Sequence, residues 1–168
     1  MFDKEYDFYG KHADMVLRLT NSFDRDNNIG SVIKTNMDVY EIAPILGYLY
    51  NRKAKIDKST NSMTKIFRDK MMDDKYYNTA TVRMLMMLID KDTKSNDERK
   101  EIAFKLDDND EKRKEYDDIY NDYVRGGVEV LYEKVFGDGN TEDEVIMSIY
   151  EFLEDYNDRY YADEIREL

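Results

Sequence analysis

Residues 116–137, YDDIYNDYVRGGVEVLYEKVFG, carry the feature that most restricts how this chain can fold. Tyr116, Tyr120, Tyr123, Val124, Gly127, Val128, Leu131 and Val135 recur at three- and four-residue spacing, which lays them along one face of an α-helix. Gly126 and Gly127 interrupt that stripe, and each helix-interior glycine costs roughly 1 kcal/mol relative to alanine. A helix that keeps two of them needs their missing side chains. Close approach by another backbone is the simplest need, and a glycine-floored groove for a partner is the alternative. Tyr123, Gly126, Gly127 and Leu131 are therefore the candidate helix-crossing or partner-groove residues. On a helical wheel Gly127 lies on the apolar stripe and Gly126 one step round, so an alanine is expected to be tolerated better at 126.

The remaining stripes point to an all-α single domain over 1–168, a bundle of about six helices with one long helix near 109–136. A chain of 168 residues can bury a substantial core. Its 15 Tyr, 7 Phe and 10 Met provide large side chains that disordered chains lack. Met15, Val16, Leu19 and Phe23 mark a helix from residue 10 to 23, with 1–9 as a surface arm. Val39, Ile42, Ala43, Leu46, Leu49 and Tyr50 mark another over 37–50, with Asn36 as its cap and Pro44 inside it. Met63, Ile66, Phe67 and Met71 suggest a short helix within 59–75, and residues 79–90 read as a helix near the centre of the core. Three starts share one chemistry: Ser95 with Glu98, Asp108 with Glu111 and Thr141 with Glu144 each set a capping oxygen three residues before a glutamate. They predict helices at about 96–106, 109–136 and 142–156, with Gly137 as the stop of the long one. In the last helix Val145, Ile146, Ile149, Leu153 and Tyr156 are the expected buried face, and 157–168 an extension or a frayed tail.

Chemistry-bearing motifs are sparse. The absence of cysteine excludes disulfides, thiolate metal sites and cysteine nucleophiles, and it suits a reducing cytoplasm. The sequence shows no apolar run long enough for a membrane span and no charged-then-apolar leader. His12 is the only histidine and is expected to be a capped or packed residue at the surface. Asp24, Asp26 and Asn28 open like a calcium loop, but the glycine comes one place late and Thr35 stands where a bidentate Glu is required. Neighbouring carboxylates such as Asp107/Asp108 and Asp117/Asp118 point about 100° apart on a helix and chelate poorly. No catalytic residue, cofactor or metal site is expected.

Charge divides the chain. Residues 1–106 hold 17 acids and 19 bases, and 107–168 hold 21 acids and 7 bases, so the two parts carry +2 and −14. The most basic stretch is NRKAKIDK at 51–58, read as a solvated helix end or as a contact for phosphate or an acidic partner through Arg52, Lys53, Lys55 and Lys58.

Three segments carry a resemblance: Asp38 with Leu46-Gly47-Tyr48 and Arg52-Lys53, the apolar helix at 85–89, and Tyr123-Val124-Arg125-Gly126-Gly127-Val128-Glu129-Val130-Leu131. Over roughly 35–135 the chain resembles a small family of accessory proteins encoded beside bacterial DNA phosphorothioation (Dnd-type) modification and restriction operons. The resemblance implies a non-catalytic partner in a DNA-modification or phage-defence system. It implies a protein partner in a DNA-processing assembly, with nucleic acid reached through the 52–58 segment, and it carries over no catalytic residue. A second reading takes the −14 part as a DNA mimic that inhibits a nuclease or restriction enzyme, which requires acids in two surface rows.

Overall fold

The computed structural model describes residues 2–21, 31–105, 110–137 and 141–160, except the side chains of 110 and 111. Among these residues seven helices and one two-stranded sheet run in the order β1 (Tyr6–Tyr9), α1 (Gly10–Thr20), α2 (Asn36–Leu49), β2 (Met63–Ile66), α3 (Arg68–Asp73), α4 (Lys75–Leu88), α5 (Asn96–Lys105), α6 (Asp110–Phe136) and α7 (Glu142–Tyr160). The chain is mainly helical, as its periodicity predicts. Its contacts form two compact units, Met1–Val130 and Leu131–Leu168.

In the first unit the amino-terminal segment is a strand rather than a surface arm. β1 pairs antiparallel with β2, Tyr6 opposite Ile66 and Tyr9 opposite Met63, and Phe2 and Phe8 are buried. Met63 and Ile66 were expected to be helical, yet their four-residue run is too short to fix a period, and the β1 edge supplies ladder partners instead. α1 packs on both strands and on α2. α1 stops at Thr20, short of the expected 23, and the Asp24, Asp26 and Asn28 loop lies outside the described residues.

Asn36 begins α2 but does not cap it. Thr35 is the cap: the Asp38 amide donates to Thr35 Oγ1 (3.2 Å) and the Thr35 amide to Asp38 Oδ2 (2.8 Å). Asn36 instead turns its amide to β2, donating to Thr64 Oγ1 at 2.9 Å and the Lys65 carbonyl at 3.2 Å. Two other capping boxes form as their spacing predicts. The Ser95 amide donates to Glu98 Oε2 (2.8 Å) and the Thr141 amide to Glu144 Oε2 (2.9 Å), with the return bonds from the Glu98 and Glu144 amides. The Asp108/Glu111 pair lies outside the described side chains.

Phe8, Val16, Leu19, Val39, Tyr40, Ala43, Tyr120, Val124 and Val128 form the core of the first unit. At roughly 1.5–3 kcal/mol for each large apolar side chain buried, they dominate its stability. The tyrosines are tied ring to ring: Tyr40 lies edge-on to Tyr6 (4.7 Å between centroids) and to Tyr120 (6.3 Å), which also meets Phe2. Burial pushes the Tyr6 phenol up to about 12 and raises those of Tyr40 and Tyr120 well above the usual value, so all three are neutral packing groups.

The second unit comprises the end of α6 and α7. Gly137 stops α6 with φ +47°, its amide bonded to the Glu133 carbonyl at 2.8 Å, a conformation that favours glycine. Lys134 Nζ reaches Asp155 Oδ2 of α7 at 3.6 Å. α7 corrects the sequence reading: Val145 is buried, but Ile146 and Leu153, expected beside it, are exposed. Its last described turn extends to Tyr160, so 157–160 is helical.

Candidate functional site: a basic strap on a glycine floor

Gly47 of α2 and Gly127 of α6 meet at one crossing, with Gly126 beside it. A methyl built on Gly127 would lie 2.9 Å from Ala43 Cα and closer still to the Ala43 carbonyl. One on Gly47 would press on the Tyr123 carbonyl and lie 3.1 Å from the Gly127 nitrogen. The obstacles are backbone atoms, which cannot turn aside as a side chain can. Gly126 is not the milder position that the helical wheel suggests: its methyl would meet the Arg52 carbonyl, with Lys53 N at 2.9 Å. A third segment, absent from any helical wheel, lies against it.

That segment is 52–58. It is not the solvated end of α2: the helix closes at Leu49, Asn51 takes φ +50°, and the chain continues, neither helix nor strand, as a strap against α6. The Arg52 amide donates to the Gly47 carbonyl at 2.8 Å. The Ala54 amide donates to the Asp122 carbonyl at 3.0 Å, and Arg125 Nε returns a bond to the Ala54 carbonyl at 2.9 Å. Only a residue without a side chain at 126 permits the strap so near the helix backbone.

Acids flank the glycine floor on the same face, Asp122 four residues before Gly126 and Glu129 three after. Arg52 Nη1 reaches Glu129 Oε2 at 3.4 Å and Lys55 Nζ reaches Asp122 Oδ2 at 2.5 Å. Cations three apart on the strap thus meet acids seven apart on the helix, which at 1.5 Å per residue are separated by about 10.5 Å along its axis. Asp122 also holds Arg125 Nη2 at 2.6 Å. The Lys55 side chain is 84 % exposed and Arg125 only 14 %, so the Arg125 pair is the stronger of the two. Lys53 Nζ sits 4.7 Å from the Tyr123 ring centre and Lys58 Nζ 5.8 Å from that of Tyr9. Each cation of the segment thus has a partner within the first unit.

At the far end of the strap, Asp57 caps α1. Its Oδ2 accepts from the Lys11 amide at 2.7 Å beside Gly10, whose φ is +56°. The backbone bonds from Lys11 and Ser59 draw the Asp57 carboxyl down to about 2. Glu129 gathers the rest: Lys11 Nζ at 2.9 Å and His12 Nε2 at 3.0 Å, both on Oε1. Burial would raise the Glu129 carboxyl, but the hydrogen bonds from Lys11 and His12 outweigh it and hold it low. For His12 burial is the larger effect and lowers its pKa despite Glu129. His12 is therefore neutral at pH 7, with its proton on Nε2 facing the carboxylate. It is fully buried, not at the surface as the sequence reading expects, and this leaves it no access to a substrate.

Asp122, Glu129, Lys11 and Asp57 are missing from the candidate residues read in sequence. The available signal was the i, i+4, i+7 series Asp122, Gly126, Glu129, an acid on each side of the glycine floor. Leu131, the last candidate, is buried and begins the second unit. The first unit also contains a cavity of about 970 Å³ bordered by Tyr40, Tyr76, Arg83, Phe104, Tyr116 and Asn121, where five Lys and Arg face three Asp and Glu. Among the described residues no group of three or more His, Cys, Asp and Glu could hold a metal ion, and no helix is long and apolar enough to cross a membrane.

Fold and site define a helical protein whose two signature segments, Leu46-Gly47-Tyr48 and Tyr123 to Leu131, are the two sides of one glycine crossing locked by a basic strap. The chain belongs to the family described as DNA sulphur modification system-associated protein 4, whose family model matches residues 10–165. The match extends on both sides of the 35–135 region that carries the resemblance. No curated protein and no solved structure matched the chain.

Proposed function

We propose that this chain is a non-enzymatic accessory protein of a bacterial DNA-modification or phage-defence system, working in the cytoplasm by binding a protein partner of the DNA-processing assembly. The family match over 10–165 is the observation that carries this reading. The strap supports protein contact over DNA contact. Arg52 and Lys55 would have to leave Glu129 and Asp122 to reach phosphates, and Lys53 and Lys58 would have to leave aromatic rings. Nucleic-acid contact, if present, is better served by the cation-rich border of the cavity. The DNA-mimic alternative has less support, because exposed Ile146, Met147, Tyr150 and Leu153 run beside the acids of α7 where a phosphate-like surface would be polar.

The test is affinity capture of the tagged full chain from its native host, with and without nuclease treatment. Enrichment of the sulphur-modification or restriction components that survives nuclease supports the proposal. Capture of an unrelated nuclease that the chain inhibits favours the mimic, and recovery lost on nuclease treatment moves the contact to DNA.

A further inference from the structure

α7 holds its apolar residues in an unusual place. Ile146, Tyr150, Leu153 and Tyr160 follow one another at steps of four, three and seven, the spacing of a single stripe along a helix. They are 41 to 56 % exposed, with Met147 exposed beside them, while Val145 is the one buried residue of the helix. A stripe this long and this open is rare on a chain that acts alone.

One flank of the stripe is acidic. At 100° per residue, Asp143, Glu154 and Asp158 fall on the edge next to Tyr150, and Tyr150 Oη donates to Glu154 Oε1 at 2.8 Å. The helix as a whole has seven acids against one base, Arg159. A second copy laid antiparallel on this face would bring acid edge against acid edge, a parallel copy would set that edge against a flank that carries Glu142 and no Lys or Arg, and in either case two helices of seven acids and one base repel across the interface. The face instead suits a helix of opposite sign.

We propose that α7 is a docking helix for a partner protein, which supplies an amphipathic helix with an apolar stripe against Ile146, Tyr150, Leu153 and Tyr160 and a Lys/Arg flank against Asp143, Glu154 and Asp158. This deepens the accessory-protein reading and rests on it for the machinery joined. The apolar stripe supplies the buried contact. The acids set which helices are accepted and how fast they are met.

The experiment places the photo-crosslinking residue p-benzoylphenylalanine at position 150 of the full chain in its native host, with the same residue at exposed Arg159, about 180° round the helix, as control. The expected product is a crosslink from 150, and little from 159, to a different protein. Its mapped peptide should have apolar residues at three- and four-residue spacing flanked by Lys or Arg. Leu153→Lys and the triple change Asp143→Lys, Glu154→Lys, Asp158→Lys should each reduce that crosslink about tenfold or more. A crosslink within the same chain, to a second copy, or to a segment without basic flanks overturns the proposal, as does none at all. If tag capture recovers modification components while position 150 crosslinks nothing, the docking surface fails and the accessory reading stands. A basic amphipathic helix crosslinked on a protein outside any such system has the opposite meaning.

Discussion

Gly127 of α6 lies so close to Ala43 of α2 that the two backbones touch with no side chain between them. This contact fixes the crossing, and the strap at 52–58 then closes over Gly126 beside it.

Gly127→Ala should therefore destabilise the protein, against the usual gain of up to about 1 kcal/mol for Gly→Ala at an open helical site. Because the new methyl meets backbone, the loss is expected at roughly 1–3 kcal/mol or more, read as a lower denaturant midpoint. Gly47→Ala should behave alike, since it presses on Tyr123 from the other side. Two alanine variants more stable than the parent would remove the crossing.

Gly126→Ala separates the strap from the crossing. Its methyl meets Arg52 and Lys53 rather than α2, so the damage should fall on the strap. Hydrogen exchange of the Ala54 amide, bonded to Asp122, is expected to quicken far more than that of amides at the centre of α2. Equal change in both would show that strap and crossing open as one unit.

Glu129 accepts from three donors at once, Lys11, His12 and Arg52. Glu129→Ala should cost about 1–3 kcal/mol, because buried His12 loses its hydrogen bond to Glu129 and Lys11 loses its ion pair. Glu129→Gln should lower the His12 pKa further, since the carboxylate acts to raise it. The imidazole resonances followed by NMR across pH 4 to 8 give the answer directly. A His12 pKa unchanged in the variant would break the link.

Acid should loosen the fold in two steps. The folded-state pKa of His12 lies below its unfolded value near 6.5, so its contribution is complete above that pH and declines as pH falls below it. Asp57, held at about 2, contributes fully above roughly pH 4 and is lost as pH falls toward 2. Asp57→Asn should flatten the lower step in thermal melts and leave the upper one. A lower step of undiminished size in that variant would assign it to other carboxylates.

Replacing Arg52, Lys53, Lys55 and Lys58 with glutamine tests the strap as a DNA contact. Each phosphate neutralised would contribute a slope of about −0.9 in log K against log salt. The internal pairing of these cations leads us to expect no DNA-binding loss from the change, but a modest fall in melting temperature, mainly through Arg52 and Lys55. A shallower salt slope in the variant would restore the strap as a phosphate contact.

The sequence by itself determined the helical class, the long α6, its stop at Gly137, and the box-capped starts of α5 and α7. These depend on residues within a turn or two of each other, so spacing alone encodes them. It also singled out Gly126 and Gly127 as demanding close approach. Only the tertiary structure decided what approaches: Ala43 at Gly127, and at Gly126 a strap that reads as a helix end until its cations find Asp122 and Glu129. It decided too that residues 6–9 and 63–66 are strands, that α7 leaves Ile146 and Leu153 in solvent, and that His12 meets Glu129 across 117 positions of chain. Local periodicity tells which face of an element is apolar. Which partner that face meets depends on free energies gained between distant segments, and no single window of sequence contains both sides.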